Sequence, residues 1–323
     1  MPLAQAELDS FDEEGWFLAK DVIPHHYIHA LQDEIDAVID AQANKLLEEG
    51  KITELHADKG YLERTAAIWA ECPEIWNVVY SGNHAGKALY ALLTCPELLD
   101  IMEQLVGPEI IAAGIYRLRP KLPKRPEGIV PWHQDAGYFG ECADSHVGPA
   151  VANGGPGYVM TAWVPLMEAT AETGPMQVLP RAHRRGVMRH YGANVKAPGL
   201  TVHPDHIPSD TPEPVTVACS IGDALLFGHM MPHRSEANDT DVIRWGADLR
   251  YTPPEAGDWG PGEGGFLARS AKGVAEGYPD ANGGVRPSLP PAPSRLSRAG
   301  FAVAMLRPLR HAPPCPSALL NRS

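Results

Sequence analysis

Residues 243–251 read Ile-Arg-Trp-Gly-Ala-Asp-Leu-Arg-Tyr. Every second position changes character. Arg244, Gly246, Asp248 and Arg250 fall on one side, and Trp245, Ala247, Leu249 and Tyr251 on the other. A period of two is that of a β-strand, whose successive side chains point to opposite faces. On the inner face of a barrel, an arginine is costly unless it finds an anion. Working outward, six further short runs stand between Gly/Pro punctuation: Glu109–Leu118, Val130–Ala136, Tyr158–Leu166, Met176–Leu179, Val215–Ala218 and Asp223–His229. Short strands with turn signals and no long helices between them predict an antiparallel sandwich or barrel.

The texture before residue 109 differs. Ile28, Leu31, Ile35, Val38, Ile39 and Leu46 share one face at helical spacing, with Asp33, Glu34, Asp36 and Asp40 between them, and Pro24 suits the first turn. Residues 95–106, CPELLDIMEQLV, read as a second amphipathic helix stopped by Gly107-Pro108. The expected class is therefore mainly β with an N-terminal α layer. We expect one domain over 1–280, with a mainly helical layer at 1–108, the β core at 109–252 and a Gly/Pro-rich loop at 253–280. The glycine-rich stretch 144–157 reads as an active-site lid. Residues 281–323 hold six arginines and no acid, so this Pro-rich tail carries +6 and reads as disordered.

The 323 residues carry a net charge of −13, with 44% hydrophobic and 21% charged residues. That balance disfavours nucleic-acid binding, which needs a basic surface. Mean hydropathy is −0.21, and no run is long and apolar enough for a membrane span. The first residues lack the basic-then-apolar pattern of a secretory signal. Cysteines 72, 95, 142, 219 and 315 form no CxxC pair. They read as free thiols of a reducing compartment, which predicts a cytoplasmic protein.

Chemistry concentrates in Pro131-Trp132-His133-Gln134-Asp135. On a strand, His133 and Asp135 would present an imidazole and a carboxylate on one face, with Trp132 and Gln134 turned away. A second segment runs through an apolar strand into His229 and His233. Two histidines and one carboxylate with open positions is the set used by non-haem iron oxygenases. Taken alone, His133 and Asp135 are equally a hydrogen-bonded pair. Arg244, eleven residues past His233, offers a bidentate fork for a carboxylate, while Arg250 better suits an internal salt bridge to Asp248 or another acid.

Four segments, WHQD, AWVPLMEATAETGPMQVLPRAH, GDALLFGHMMPHRSEAN and Arg244 before LRY, together with the opening FDEEGWFLAKDVIP, resemble the phytanoyl-CoA dioxygenase family of iron(II)/2-oxoglutarate oxygenases. The resemblance covers most of residues 10–252. It implies a double-stranded β-helix (jelly roll) and the cofactors iron(II), 2-oxoglutarate and dioxygen. It implies His133, Asp135 and His233 as iron ligands and Arg244 as the clamp on the distal carboxylate of 2-oxoglutarate. It also implies Trp163 and Ser235 beside that co-substrate. His229 rivals His233, but Ser235 and Arg244 follow His233 at the family spacing. The family's PGSH turn is Pro180-Arg181-Ala182-His183 here. Because Asp135 supplies the carboxylate, hydroxylation or another oxidation is expected, not halogenation. The expected partner is a small-molecule substrate. Two basic clusters are candidates for an anionic group on it: Arg117, Arg119, Lys121, Lys124 and Arg125, and Arg181, Arg184, Arg185 and Arg189. The competing classes are a zinc hydrolase or isomerase, which needs no arginine at 244, and a scaffold without activity, whose packing does not require all three ligands.

Overall fold

The computed structural model describes residues 2–75, 86–139, 159–188, 190–191, 201–202, 205, 207, 209–254 and 265–271. The expected lid at 144–157 and the tail at 281–323 lie outside these residues, as do Arg189, Cys142 and Cys315.

The N-terminal layer contains α1 (Gln5–Glu14), α2 (His25–Glu48), α3 (Tyr61–Glu71), α4 (Lys87–Leu93) and α5 (Pro96–Val106). In α2, Ile28, Leu31, Ile35, Ile39, Ala43 and Leu46 are buried. Their i, i+3/i+4 recurrence makes one apolar stripe. Each such Leu or Ile contributes roughly 1.5–3 kcal/mol relative to exposure. Pro24 stands at the N-cap of α2. Pro96 opens α5, where its missing N–H costs nothing. Gly107 ends α5 at φ 95°, a backbone angle that a side chain would resist.

The strands are β1 (Trp16–Ala19), β2 (Ile110–Ala112), β3 (Arg117–Leu118), β4 (Val130–His133), β5 (Met160–Pro165), β6 (Met176–Val178), β7 (His190–Tyr191), β8 (Thr201–Val202), β9 (Val215–Val217), β10 (Ala224–Gly228), β11 (His233–Ser235), β12 (Gly246–Thr252) and β13 (Phe266–Arg269). The major sheet runs β1-β10-β5-β12-β2-β13, with β3 also on β12, and the minor sheet runs β4-β11-β6-β9. All pairs in both sheets are antiparallel. Helices cover one face of the major sheet and the minor sheet faces the other, which is the jelly roll with an α layer expected from the sequence.

Alternation assigns each residue of the major sheet. Met160, Ala162, Val164, Ala224, Leu226, Ala247, Leu249 and Tyr251 join the helices in the larger core. Trp163, Leu225 and Phe227 point between the sheets and meet Met176, Val178 and Val217 of the minor sheet.

Within the 1–108 layer one short strand, β1, caps the major sheet edge against β10. Two readings need correction. The 253–280 stretch is not only loop, because β13 pairs with β2. The strand expected over 130–136 ends at His133, and Asp135 begins a 3-10 turn over Asp135–Phe139. Among the described residues no helix is long and apolar enough to cross a membrane. Cys72, Cys95 and Cys219 are free and buried.

Candidate metal centre

His133 ends β4 and His233 opens β11, and the two are register partners across the minor sheet. Their rings lie 4.1 Å apart between centroids. The 3-10 turn after β4 swings Asp135 toward both. Asp135 Oδ1 is 3.9 Å from His133 Nε2 and 4.0 Å from His233 Nε2. Among the described residues, His133, Asp135 and His233 are the group whose ligand atoms could hold a metal ion, all within 4.8 Å of one another. Strand alternation predicts His133 and Asp135 on one face, but the turn after β4, not the strand, brings them together.

Backbone carbonyls set the imidazole tautomers. His133 Nδ1 lies 2.9 Å from the Pro131 carbonyl and His233 Nδ1 lies 2.9 Å from the Met231 carbonyl. A carbonyl only accepts, so each Nδ1 carries the proton and each Nε2 keeps its lone pair for a metal. Burial, followed by the neighbouring His233 ring, pushes His133 down to about 3. Burial likewise lowers His233. Both rings are neutral at physiological pH, as ligation requires. Burial alone would raise the Asp135 carboxyl, but Arg250, the two imidazoles and the Thr161 hydroxyl hold it well below its usual range.

A second polar nest lies along the same interior. Arg244 is 2% exposed and pairs with Lys121 through a backbone bridge ahead of β12. Its Nη2 donates to the Gly174 carbonyl at 3.0 Å, while Nε and Nη1 have no hydrogen-bond partner among the described residues. Burial lowers Arg244 to about 10. The guanidinium carbon sits 5.3 Å from the Trp163 ring. That indole lies against the backbone of Gly246, where a Cβ would come within 2.9 Å of the ring. Lys121 Nζ donates to Ser235 Oγ at 2.8 Å and to the Glu236 carbonyl. Burial and the nearby Arg244 push Lys121 down to about 6. Buried donors left without partners are rare and point to a missing acceptor. Two unpaired guanidinium nitrogens beside a buried lysine fit an anion.

His229 stands apart from the metal-ligand group. Its backbone N–H donates to the Val159 carbonyl at 2.9 Å, and its Nδ1 receives the Val159 N–H at 3.4 Å. Trp132 and Gln134 do not join the ligand group, and Gln134 is fully buried. Trp132 stacks under Arg234, and Gln134 bonds Gly186, Met188 and Met230.

The basic clusters largely find internal partners. Arg181 pairs with Glu13 and Glu14, Arg184 with Asp12, Arg185 with Asp210 and Lys124 with Asp241. Arg125 lies over the Trp69 ring, and Arg119 bonds Asp248. Lys121 belongs to the interior nest, a place its membership in a basic run did not reveal. Thr161 was also missed, although alternation from Trp163 along β5 puts both on the inner face.

The fold and this donor set define a non-haem iron type of centre, two histidines and a carboxylate with positions left open. The phytanoyl-CoA dioxygenase (PhyH) family profile matches residues 11–246, and the chain belongs to that family of oxygenases. It is similar to the 1-deoxypentalenic acid 11-beta-hydroxylase of Streptomyces arenae, with 27% identity over 169 residues, 49% of this chain and 54% of that protein. The chain thus spans about half the length of that relative. Among solved structures it is similar to the nickel complex of the non-haem monooxygenase ThoJ, at TM-score 0.51 and 18% identity over 92% of this chain and 91% of that one. The apo form of ThoJ matches at TM-score 0.50 and 19% identity over 76% of each chain. These likenesses are of fold.

Proposed function

We propose that this protein is an iron(II)/2-oxoglutarate-dependent dioxygenase that hydroxylates or otherwise oxidises a small-molecule substrate, working as one catalytic unit over residues 1–280. The observation that carries the reading is the pairing of two sites. A three-ligand group at His133, Asp135 and His233 shares one interior with a buried Arg244, two of whose nitrogens have no partner among the described residues. A zinc hydrolase or a scaffold needs the first at most; only a co-substrate with a far carboxylate needs both.

When bound, iron(II) and 2-oxoglutarate supply dioxygen activation, with succinate and carbon dioxide as the co-substrate's products. The chain's own part is to hold and orient. His133 and His233 offer Nε2 lone pairs, fixed by their carbonyl partners, and Asp135 offers Oδ1. Arg244 clamps the distal carboxylate through a planar fork. Lys121 adds a second cation that an arriving carboxylate recharges, and Ser235 holds its ammonium in place. Trp163 closes the nest and keeps water from the clamp. Substrate chemistry is left to the residues around the mouth of the barrel.

The test is anaerobic addition of iron(II) and 2-oxoglutarate to the purified protein. A weak visible metal-to-ligand charge-transfer band is expected, and it should be absent in His233→Ala. A wild-type protein that binds iron(II) yet gives no band with 2-oxoglutarate would overturn the co-substrate assignment.

A further inference from the structure

We propose that Arg250, with Thr161, is a positioning residue that holds Asp135 to one-oxygen coordination and so keeps the third open position of the metal free. The inference rests on the metal reading above and concerns which carboxylate oxygen is available.

The two oxygens of Asp135 are not equivalent. Oδ2 accepts from Arg250 Nε at 3.1 Å and from the Thr161 hydroxyl at 3.0 Å, with the Arg250 Nη2 charge 3.0 Å away. Among the described residues Oδ1 accepts only from Arg250 Nη2, at 3.1 Å, and it lies within 4.0 Å of both imidazole Nε2 atoms. An ionised carboxylate has about four lone-pair sites, two on each oxygen. Those of Oδ2 are occupied by donors, so Oδ1 alone has capacity left to face a cation.

A carboxylate without such partners can bind a metal through one oxygen or through both. Two-oxygen binding would take one of the positions that an octahedral ion with three protein ligands leaves open. A bidentate co-substrate and dioxygen together need all of them.

Arg250 is itself aimed. Its Nη1 donates to the Ile115 carbonyl at 2.7 Å, and Nη2 is 3.9 Å from Asp248 Oδ2. Asp248 in turn accepts from Arg119 Nε at 2.9 Å. Charges therefore alternate from Arg119 through Asp248 and Arg250 to Asp135. Stability alone does not call for this arrangement, because buried ion pairs are often no better than apolar packing of the same volume. What the pairs add is direction.

The experiment loads manganese(II) into the protein without co-substrate and counts metal-bound waters from the broadening of its EPR lines in 17O-enriched water. Thermal unfolding of each variant is measured in parallel. Wild type should show three waters. Arg250→Lys keeps the charge but cannot fork across both oxygens, so it should lose one water while unfolding near the wild-type temperature. Thr161→Val keeps the side-chain shape and removes one donor to Oδ2, so it should give a count between three and two. If Arg250→Lys fails to fold, Thr161→Val decides. Three waters in both variants would overturn the proposal and leave Arg250 as charge compensation only. A wild type that binds no manganese(II) would refute the metal reading itself, and this inference with it.

Discussion

The two faces of the major sheet are equally buried and differently built. All seven residues of β12 are buried, yet Ala247 and Leu249 meet the helices through apolar contact, and Tyr251 adds to it a single hydrogen bond, from its hydroxyl to the Leu93 carbonyl. Asp248 and Arg250, on the same strand, are held by directed charge pairs to Arg119 and Asp135. The outer face rests on area removed from water, which is non-directional. The charged residues of the inner face rest on partners, each of which strands a charge if lost. Burial therefore does not separate scaffold from site in this fold; the chemistry of the partner does. Substitutions on the two faces should fail in different ways.

The largest effect is expected at the three interior ligands. His133→Ala, Asp135→Ala and His233→Ala should each abolish turnover and metal binding, while His229→Ala should retain most of both. Asp135→Ala should also unfold more easily, because it leaves Arg250 buried without its main anion, at a cost of about 3–5 kcal/mol. The histidine variants strand no charge and should fold nearly as wild type. Metal titration and denaturant melts check this. A His229→Ala protein that loses its metal would break the assignment.

Next comes Arg244→Ala, which should leave metal affinity nearly intact and raise the requirement for 2-oxoglutarate. Truncating one partner of a buried, hydrogen-bonded charge pair costs roughly 2–5 kcal/mol. At about 1.4 kcal/mol per factor of ten, that is on the order of 30- to 3,000-fold in affinity. Arg244→Lys should recover only part, since an ammonium is a point charge without a planar fork. A 2-oxoglutarate titration with iron content measured in parallel decides. Wild-type affinity in Arg244→Ala would sink the clamp.

These contrasts also explain how far the sequence could be read. Period two in residues 243–251 separated the two faces of β12 before any coordinates, and Arg250 was rightly assigned an internal acid. It did not identify that acid as chiefly Asp135, because the pairing joins residues 115 apart in the chain. Strand β1 was missed because Trp16–Ala19 is four residues long inside a helical stretch and pairs with β10 far downstream. Strand β13 was hidden by the surrounding glycine and proline. Asp135 was placed near His133 for the wrong local reason, since alternation cannot foresee that a strand stops and a turn begins. Lys121 looked like one more surface cation in a basic run, and only tertiary packing shows it 2% exposed beside Arg244.

On the outer face, Leu249→Ala is the mirror experiment. Leu249 is fully buried against the helical layer. Its truncation should cost about 2–5 kcal/mol of stability through lost transfer energy and a residual cavity. Metal affinity and the 2-oxoglutarate requirement should stay at wild-type values below the melting range. A denaturation midpoint paired with a co-substrate titration reads both. A changed co-substrate requirement in a folded Leu249→Ala protein would mean that the two faces are coupled through the strand.

The smallest effect is expected at Ser235. It lies two residues past His233 on β11, so the two side chains share a face roughly 7 Å apart along the strand. Its hydroxyl accepts from Lys121 Nζ and keeps its own proton for a carboxylate bound there. Ser235→Ala removes one hydrogen-bonding group but strands no charge, because Lys121 still bonds the Glu236 carbonyl. A single such bond contributes about 0.5–1.5 kcal/mol. At about 1.4 kcal/mol per decade this is roughly 2- to 12-fold in 2-oxoglutarate affinity, with metal affinity unchanged. The interior between the sheets then has an internal order in which Arg244 outranks Ser235, because one removal leaves a buried charge alone and the other does not. A Ser235→Ala loss equal to or above that of Arg244→Ala would invert the order and make the Lys121 ammonium, positioned by Ser235, the principal anchor for the carboxylate.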